Sequence, residues 1–506
     1  MSLLVRTSLV SAATLGSRVL GFVRDAATAA VLGAGPVADA LVAALALPLL
    51  ARRLLAEGAF NLAFIPALAQ AEERGDGVGA GRGLAKAAFV LLSGALLVAA
   101  VLAALFMRQV IGLLAPGFEA GGARAEVAVL CGRVAVLYLP LSAMAAVFGG
   151  IANRAHRVLL PALAPMAANL TVLAVIAALL VEGLMESDTA AFAIAVATVA
   201  AGLAQLALMM ASARGCPPAR FLGATADWRG GLAVLRAASP ALLFAGMSQF
   251  RLIIIIALVS AVPGAVAALN YAQRLMDLPL GLVGASAGAV LLPALVREKG
   301  EGASAGRALV AALAFALPAA AGLAVLAEPI VVTLFQRGSF DAGDARATAL
   351  FLAVLALSLP LQGLERILAA AASAAGLVGA AEGIALLSLA VCLGAGAALG
   401  AAFGPAGAAG GAAVSAGCSI LALGALLARR GALQLDPALF PAAAGIAGAT
   451  LAMALAVHLG AAAWPAPEGA GLAAALRLGA LIGAGALVYG ACLLPLRALL
   501  KRRANA

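Results

Sequence analysis

Arginines recur in this chain where the neighbouring residues are almost all apolar. Arg18 and Arg24 lie in LGSRVLGFVRDAATAAVL, Arg52 and Arg53 in LPLLARRLLAEGAFNLAF, and Arg274 in LNYAQRLMDLPLGL. A guanidinium offers a planar fork of donors that matches phosphate oxygens two at a time, and it stays ionised when partly desolvated. The chemistry these residues suit is non-covalent capture of a phosphate-bearing anion. Thr14, Ser17, Gly21, Arg24 and Thr28 recur at spacings of three or four, and Arg18 and Asp25 are seven apart, so all fall on one broad helical face. Asp39 and Glu57 accompany Arg52 and Arg53, and Asn270, Arg274 and Asp277 follow at i, i+4 and i+7. The five arginines outnumber Asp25, Asp39, Glu57 and Asp277 by one, so pairing absorbs part of the charge. Blander readings stand beside each: helix-to-helix ion pairs for Arg24 with Asp25 and Arg274 with Asp277, a helix end at Arg52 and Arg53, and a helix cap at Asp39. Arg251 fits a polar pocket or simple packing.

The elements that must position these side chains are membrane spans. Of the 506 residues 65% are hydrophobic and 11% charged, with a mean hydropathy of +1.13, which excludes a soluble enzyme. A bilayer core of ~30 Å needs ~20 apolar residues per helix. Runs of that kind near 8–32, 37–70, 84–108, 125–152, 158–181, 188–212, 233–260, 264–296, 307–335, 345–372, 378–400, 406–428, 439–460 and 472–498 predict about fourteen helices. A charge inside such a span costs ~2.5–3.5 kcal/mol on insertion scales, so it turns inward or toward water. The net charge of +10 collects in alternate connections: Arg6, Arg74, Arg82, Lys86, Arg154, Arg157, Arg214, Arg220, Arg229, Arg297, Lys299, Arg429, Arg430, Lys501, Arg502 and Arg503 on one side, against Glu182, Glu186, Asp188, Asp341, Asp344 and Glu468 on the other, where few basic residues occur beyond Arg124 and Arg337. That asymmetry places both termini in the cytoplasm. The arginine-bearing N-terminal run reads as a retained first helix, not a removable signal.

Sliding the chain by 227 positions lays Arg24 on Arg251, Pro36 on Pro263 and IPAL (65–68) on LPAL (292–295), a faint internal repeat. Parallel repeats of several helices are a transporter architecture. The expected division is an N-lobe over 1–215, a C-lobe over 216–430, and two further helices with a basic tail over 431–506. The Gly-rich tract 404–417 reads as close helix packing. Cys131, Cys216, Cys392, Cys418 and Cys492 lack paired spacing, the two histidines are His156 and His458, and no metal set, Walker-type loop or nucleophile motif occurs. The chain is expected to be neither an enzyme nor a holder of a cofactor.

The stretch from Leu15 to Gln70 resembles the opening of the MurJ (MviN) lipid II flippase family, within the multidrug/oligosaccharidyl-lipid/polysaccharide exporter superfamily. APGF (115–118), NRAHRVLLPALAPMAANL (153–170), YAQRLMDLPLGLVG (271–284), LLPAL (291–295) and LFQRGSFDAGDA (334–345) extend the likeness in order. The resemblance implies an all-α polytopic fold of about fourteen helices, two six-helix lobes around a central cationic cavity, and a final pair forming a groove for a lipid tail. It implies that Ser17, Arg18, Arg24, Asp39, Arg52 and Arg274 match functional positions, with Arg53 beside them and Asp25, Glu57, Asn270, Asp277 and Arg251 in support. It further implies movement of the undecaprenyl-diphosphate-linked peptidoglycan precursor across the bacterial inner membrane by alternating access.

Three departures accompany the likeness. Where the family's tenth helix usually ends in a motif like PGFYSRQDTKTP, this chain has LAAAASAAGLVGAAEGIAL (368–386), and Gln273 and Ala267 replace a usual Asp and Ser. Coupling to a monovalent cation through helices seven and eleven has no support in these residues, whereas the membrane potential could bias a charged site. Lipid II or a related polyprenyl-diphosphate lipid, the membrane and cell-wall machinery are the expected partners, with no nucleic acid. A paralogue carrying another lipid-linked oligosaccharide or a drug-like solute, and a transport-inactive cell-wall scaffold, are the competing readings.

Overall fold

The computed structural model describes residues 3–56, 59–73, 77–297, 303–433, 437, 439–467 and 469–504. Glu57, Arg74, Lys299 and Glu468 of the sequence argument lie outside them. Among the described residues every regular element is helical. In the first half these are α1 (Leu3–Leu32), α2 (Pro36–Ala51), α3 (Ala59–Glu73), α4 (Val78–Leu105), α5 (Met107–Leu114), α6 (Ala123–Ala135), α7 (Tyr138–Arg154), α8 (Leu159–Glu182), α9 (Asp188–Ala213) and α10 (Trp228–Val259). In the second half they are α11 (Ala265–Arg297), α12 (Ala303–Val325), α13 (Ala327–Phe335), α14 (Ala342–Ala356), α15 (Ser358–Ala374), α16 (Val378–Phe403), α17 (Pro405–Ala408), α18 (Gly411–Arg429), α19 (Leu439–Ala463) and α20 (Leu472–Ala504).

These segments map onto the fourteen expected spans, several of which are broken. Among the described residues ten helices are long and apolar enough to cross a membrane, eleven counting α14 with α15, which bend by 41° between Ala356 and Ser358. The three spans outside that set, α1, α2 with α3, and α11, carry most of the charges singled out in the sequence, Arg251 in α10 being the exception. The protein is therefore a multi-pass membrane protein whose least apolar spans are its candidate functional ones. Local signals account for the ends. Gly183 closes α8 in the left-handed region at φ +71°, with the Leu184 N–H donating to Leu179 O at 3.0 Å, and the Ser187 hydroxyl accepts from the Ala190 N–H to start α9.

The chain forms two compact units, Met1–Ile253 and Ile254–Ala506. In the first, Phe60, Phe64 and Leu68 of α3, Leu84 and Ala88 of α4, Val147 and Ile151 of α7, and Val234 and Ala238 of α10 build one buried cluster. The division falls inside α10, where the sequence reading had placed it at the connection near 215. Contacts of that connection supply the reason. The Lys86 ammonium donates to Leu222 O and Ala224 O, Arg82 Nε donates to Pro217 O, and the Asp227 N–H donates to Gly83 O. The Phe221 ring packs on Phe89 and Phe148, so the start of α10 is strapped to α4 and α7.

In the second unit Tyr271, Phe335 and Phe340 pack around one another, and α19 lies against both α12 and α20. The Gly-rich tract serves close packing: a Cβ on Gly411 would sit 2.7 Å from Cys392 O and 2.8 Å from the Gly396 Cα, so α16 and α18 touch backbone to backbone. Outward faces such as Leu451, Leu455 and Leu459 of α19 are exposed and apolar, as a lipid solvent requires.

Candidate functional site

From the polar face of α1, Arg24 and the Ser17 carbonyl meet α8. Arg24 Nε and Nη2 donate to Asp25 Oδ1 at 3.1 and 2.6 Å, and Arg24 Nη1 donates to Asn169 Oδ1 at 3.0 Å. Asn169 Nδ2 in turn donates to Ser17 O at 3.1 Å. Small residues make the approach feasible: a Cβ on Gly16 would meet Met166 Cε at 3.3 Å, and one on Gly21 would meet Asn169 Nδ2 at 3.3 Å. The Thr28 hydroxyl donates to Arg24 O, one turn back along the same face. Arg24 and Asp25 keep 13% and 16% of their side-chain surface exposed. Arg18, one residue round the helix from Ser17, is exposed and belongs to no ion pair among the described residues.

Arg52 and Arg53 lie at the end of α2, with Arg52 as its C-cap. They open a π-helical turn, Arg52–Ala56, four residues past Pro48, and helix resumes at Ala59. A proline removes one backbone donor from the helical ladder, and π turns of this kind interrupt helices frequently at functional sites. Arg53 Nη1 donates to the buried Ser248 hydroxyl of α10 at 2.7 Å. Tyr138 is buried at the start of α7, its hydroxyl donating to Gln205 Oε1 at 3.2 Å.

Asp39 has a different role from the arginines. It has no exposed surface, and its carboxylate accepts from Arg124 Nη1 at 3.5 Å, while the Arg124 guanidinium lies 4.8 Å from the centre of the Phe118 ring. It does not cap α2: the N-cap position is Gly35, with no side-chain hydrogen bond. Arg251 of α10 is 2% exposed and is the largest fully buried side chain among the described residues.

In the second unit, Asn270, Arg274 and Asp277 share a face of α11, as the spacing predicted. Gln273, at the position where the resembling family usually has Asp, donates to Asp277 Oδ1 at 2.8 Å. Residues 368–386 form the end of α15, a turn at Gly376 and the start of α16, with Glu382 their one charged residue. Sequence reasoning passed over Asn169, Tyr138, Ser248 and Arg124. The signal for Asn169 was present, since an amide inside an otherwise apolar span needs a partner.

Solved structures share this architecture. One described as "Lipid II flippase MurJ, inward closed conformation" superposes with a TM-score of 0.80 at 21% identity, covering 97% of this chain and 99% of its own. A "multidrug resistance MATE family transporter of the MOP superfamily" in its inward-facing conformation gives 0.62 at 16% identity, covering 82% and 94%. The fold, with charged side chains held inside its spans, is that of a multi-pass α-helical membrane protein of the architecture these structures share. The family model "Lipid II flippase MurJ" matches residues 28–478. A Rhizobium meliloti (strain 1021) protein described as "Probable lipid II flippase MurJ" is 36% identical over 71% of this chain and 68% of its own length, and the "Lipid II flippase MurJ" of Burkholderia cenocepacia is 31% identical over 69% of each. The chain belongs to the lipid II flippase MurJ family.

Proposed function

We propose that this protein moves lipid II, the undecaprenyl-diphosphate-linked peptidoglycan precursor, from the cytoplasmic to the outer leaflet of the bacterial inner membrane by alternating access. Family membership supports the cargo. The observation that carries the chemistry is Arg24, a charge inside a span that is oriented by two neighbours and still partly exposed. On this reading Arg24 and Arg52 hold the diphosphate, and Arg18 and Arg53 add to the local positive field. Asp39 and Asp25 fix arginines and do not touch the anion. The polyprenyl tail stays in lipid throughout. Both termini face the cytoplasm, as the basic connections require.

Reorientation of a charged site responds to the membrane potential at about 2.3 kcal/mol per elementary charge per 100 mV, which biases the cycle without nucleotide hydrolysis. The test is rescue of a bacterium depleted of its own lipid II flippase, comparing the protein with its Arg24→Ala variant at matched membrane levels. Rescue by the unaltered protein and not by the variant is expected. Rescue by both would remove the arginine from the mechanism. Failure of both, with normal insertion, would shift the cargo to another lipid-linked oligosaccharide and direct attention to residues 368–386.

A further inference from the structure

We infer that Asn169 of α8 is a positioning residue for the substrate anion, acting through Arg24; this rests on the reading of Arg24 as a diphosphate contact. The amide is 5% exposed and its orientation is dictated by its neighbours. A backbone carbonyl only accepts and a guanidinium only donates, so Nδ2 must face Ser17 O and Oδ1 must face Arg24 Nη1, as found. With both ends engaged, the side chain ties the middle of α1 to α8 and sets the azimuth of the guanidinium plane.

The count of donors gives that azimuth a purpose. A guanidinium has five N–H bonds. Asp25 takes one from Nε and one from Nη2, and Asn169 takes one from Nη1. The two that remain are divided one to each terminal nitrogen. A tetrahedral phosphate accepts from two nitrogens of one guanidinium in parallel, the strongest form of this contact. Without Asn169 the Nη1 side is unrestrained and the group can pivot about its contact with Asp25. A neutral amide does this without cancelling a second positive charge, which a carboxylate at the same position would do.

The experiment is a double-mutant cycle on the full-length protein in nanodiscs, reading the dissociation constant for undecaprenyl diphosphate together with the thermal unfolding midpoint. Asn169→Leu is expected to weaken binding by about tenfold when Arg24 is present, the worth of one charge-assisted contact, and to change it less than twofold in an Arg24→Ala background. Asn169→Ala, which removes the amide with less bulk, should repeat the pattern. Equal losses in both backgrounds would make Asn169 a packing residue and overturn the inference, as would failure of both variants to reach the membrane. Full affinity in Arg24→Ala alone would instead overturn the role of Arg24. Full affinity in Asn169→Leu, with Arg24→Ala impaired, would overturn the positioning role while leaving the site standing.

Discussion

At the scale of single residues, the charges inside the spans divide by what surrounds them. Asp39 is fully buried with Arg124 among its partners, so removing Arg124 leaves a buried carboxylate less compensated, whereas Arg108 and Glu126 form an ion pair that is 59% and 47% exposed. Stranding a buried charge costs several kcal/mol, while exposed pairs contribute little. Arg124→Ala is expected to lower the thermal midpoint clearly, while Arg108→Ala leaves it nearly unchanged. Equal effects would contradict the burial argument. The identity of Asp39 as a residue under constraint was legible in the sequence. Its partner was not, because Arg124 lies 85 positions away and reads as an ordinary connection charge.

Among the elements, apolar runs fixed the number and order of the spans, since a bilayer imposes a length that composition alone reveals. The breaks escaped, because they depend on backbone events. Pro48 and the π turn interrupt what reads as one run from 37 to 70, and the 41° bend between α14 and α15 falls within a continuous apolar stretch. The stripe on α1 was legible from periodicity, yet which side of it meets α8 was decided by Gly16 and Gly21. Close packing makes its own prediction. Gly411→Leu forces α16 and α18 apart and is expected to destabilise by about 2 kcal/mol, the scale of overpacking, while Gly417→Ala, with nothing within 4 Å of the added carbon, is neutral or slightly stabilising. Thermal unfolding of the two purified variants checks the contrast.

For the whole molecule, the orientation proposed from the alternation of charge is open to labelling. With Cys418→Ser and Cys492→Ser as background, Met185→Cys, exposed after α8, is expected to react with an impermeant thiol reagent in intact cells. Ala155→Cys, exposed after α7, should react only after permeabilisation. The reverse pattern would invert the direction of transport. The bond between Arg24 and Asn169 also carries a schedule. Its partners are 145 residues apart, so at ~5–20 residues per second the ribosome delivers Asn169 roughly 7–30 s after Arg24. During that interval the first helix must carry its guanidinium into the membrane with help from within its own sequence. Asp25, the very next residue, is available from the moment of synthesis. The ion pair that later shapes the site is therefore also the arginine's escort during assembly, and α1 docks for good when α8 arrives.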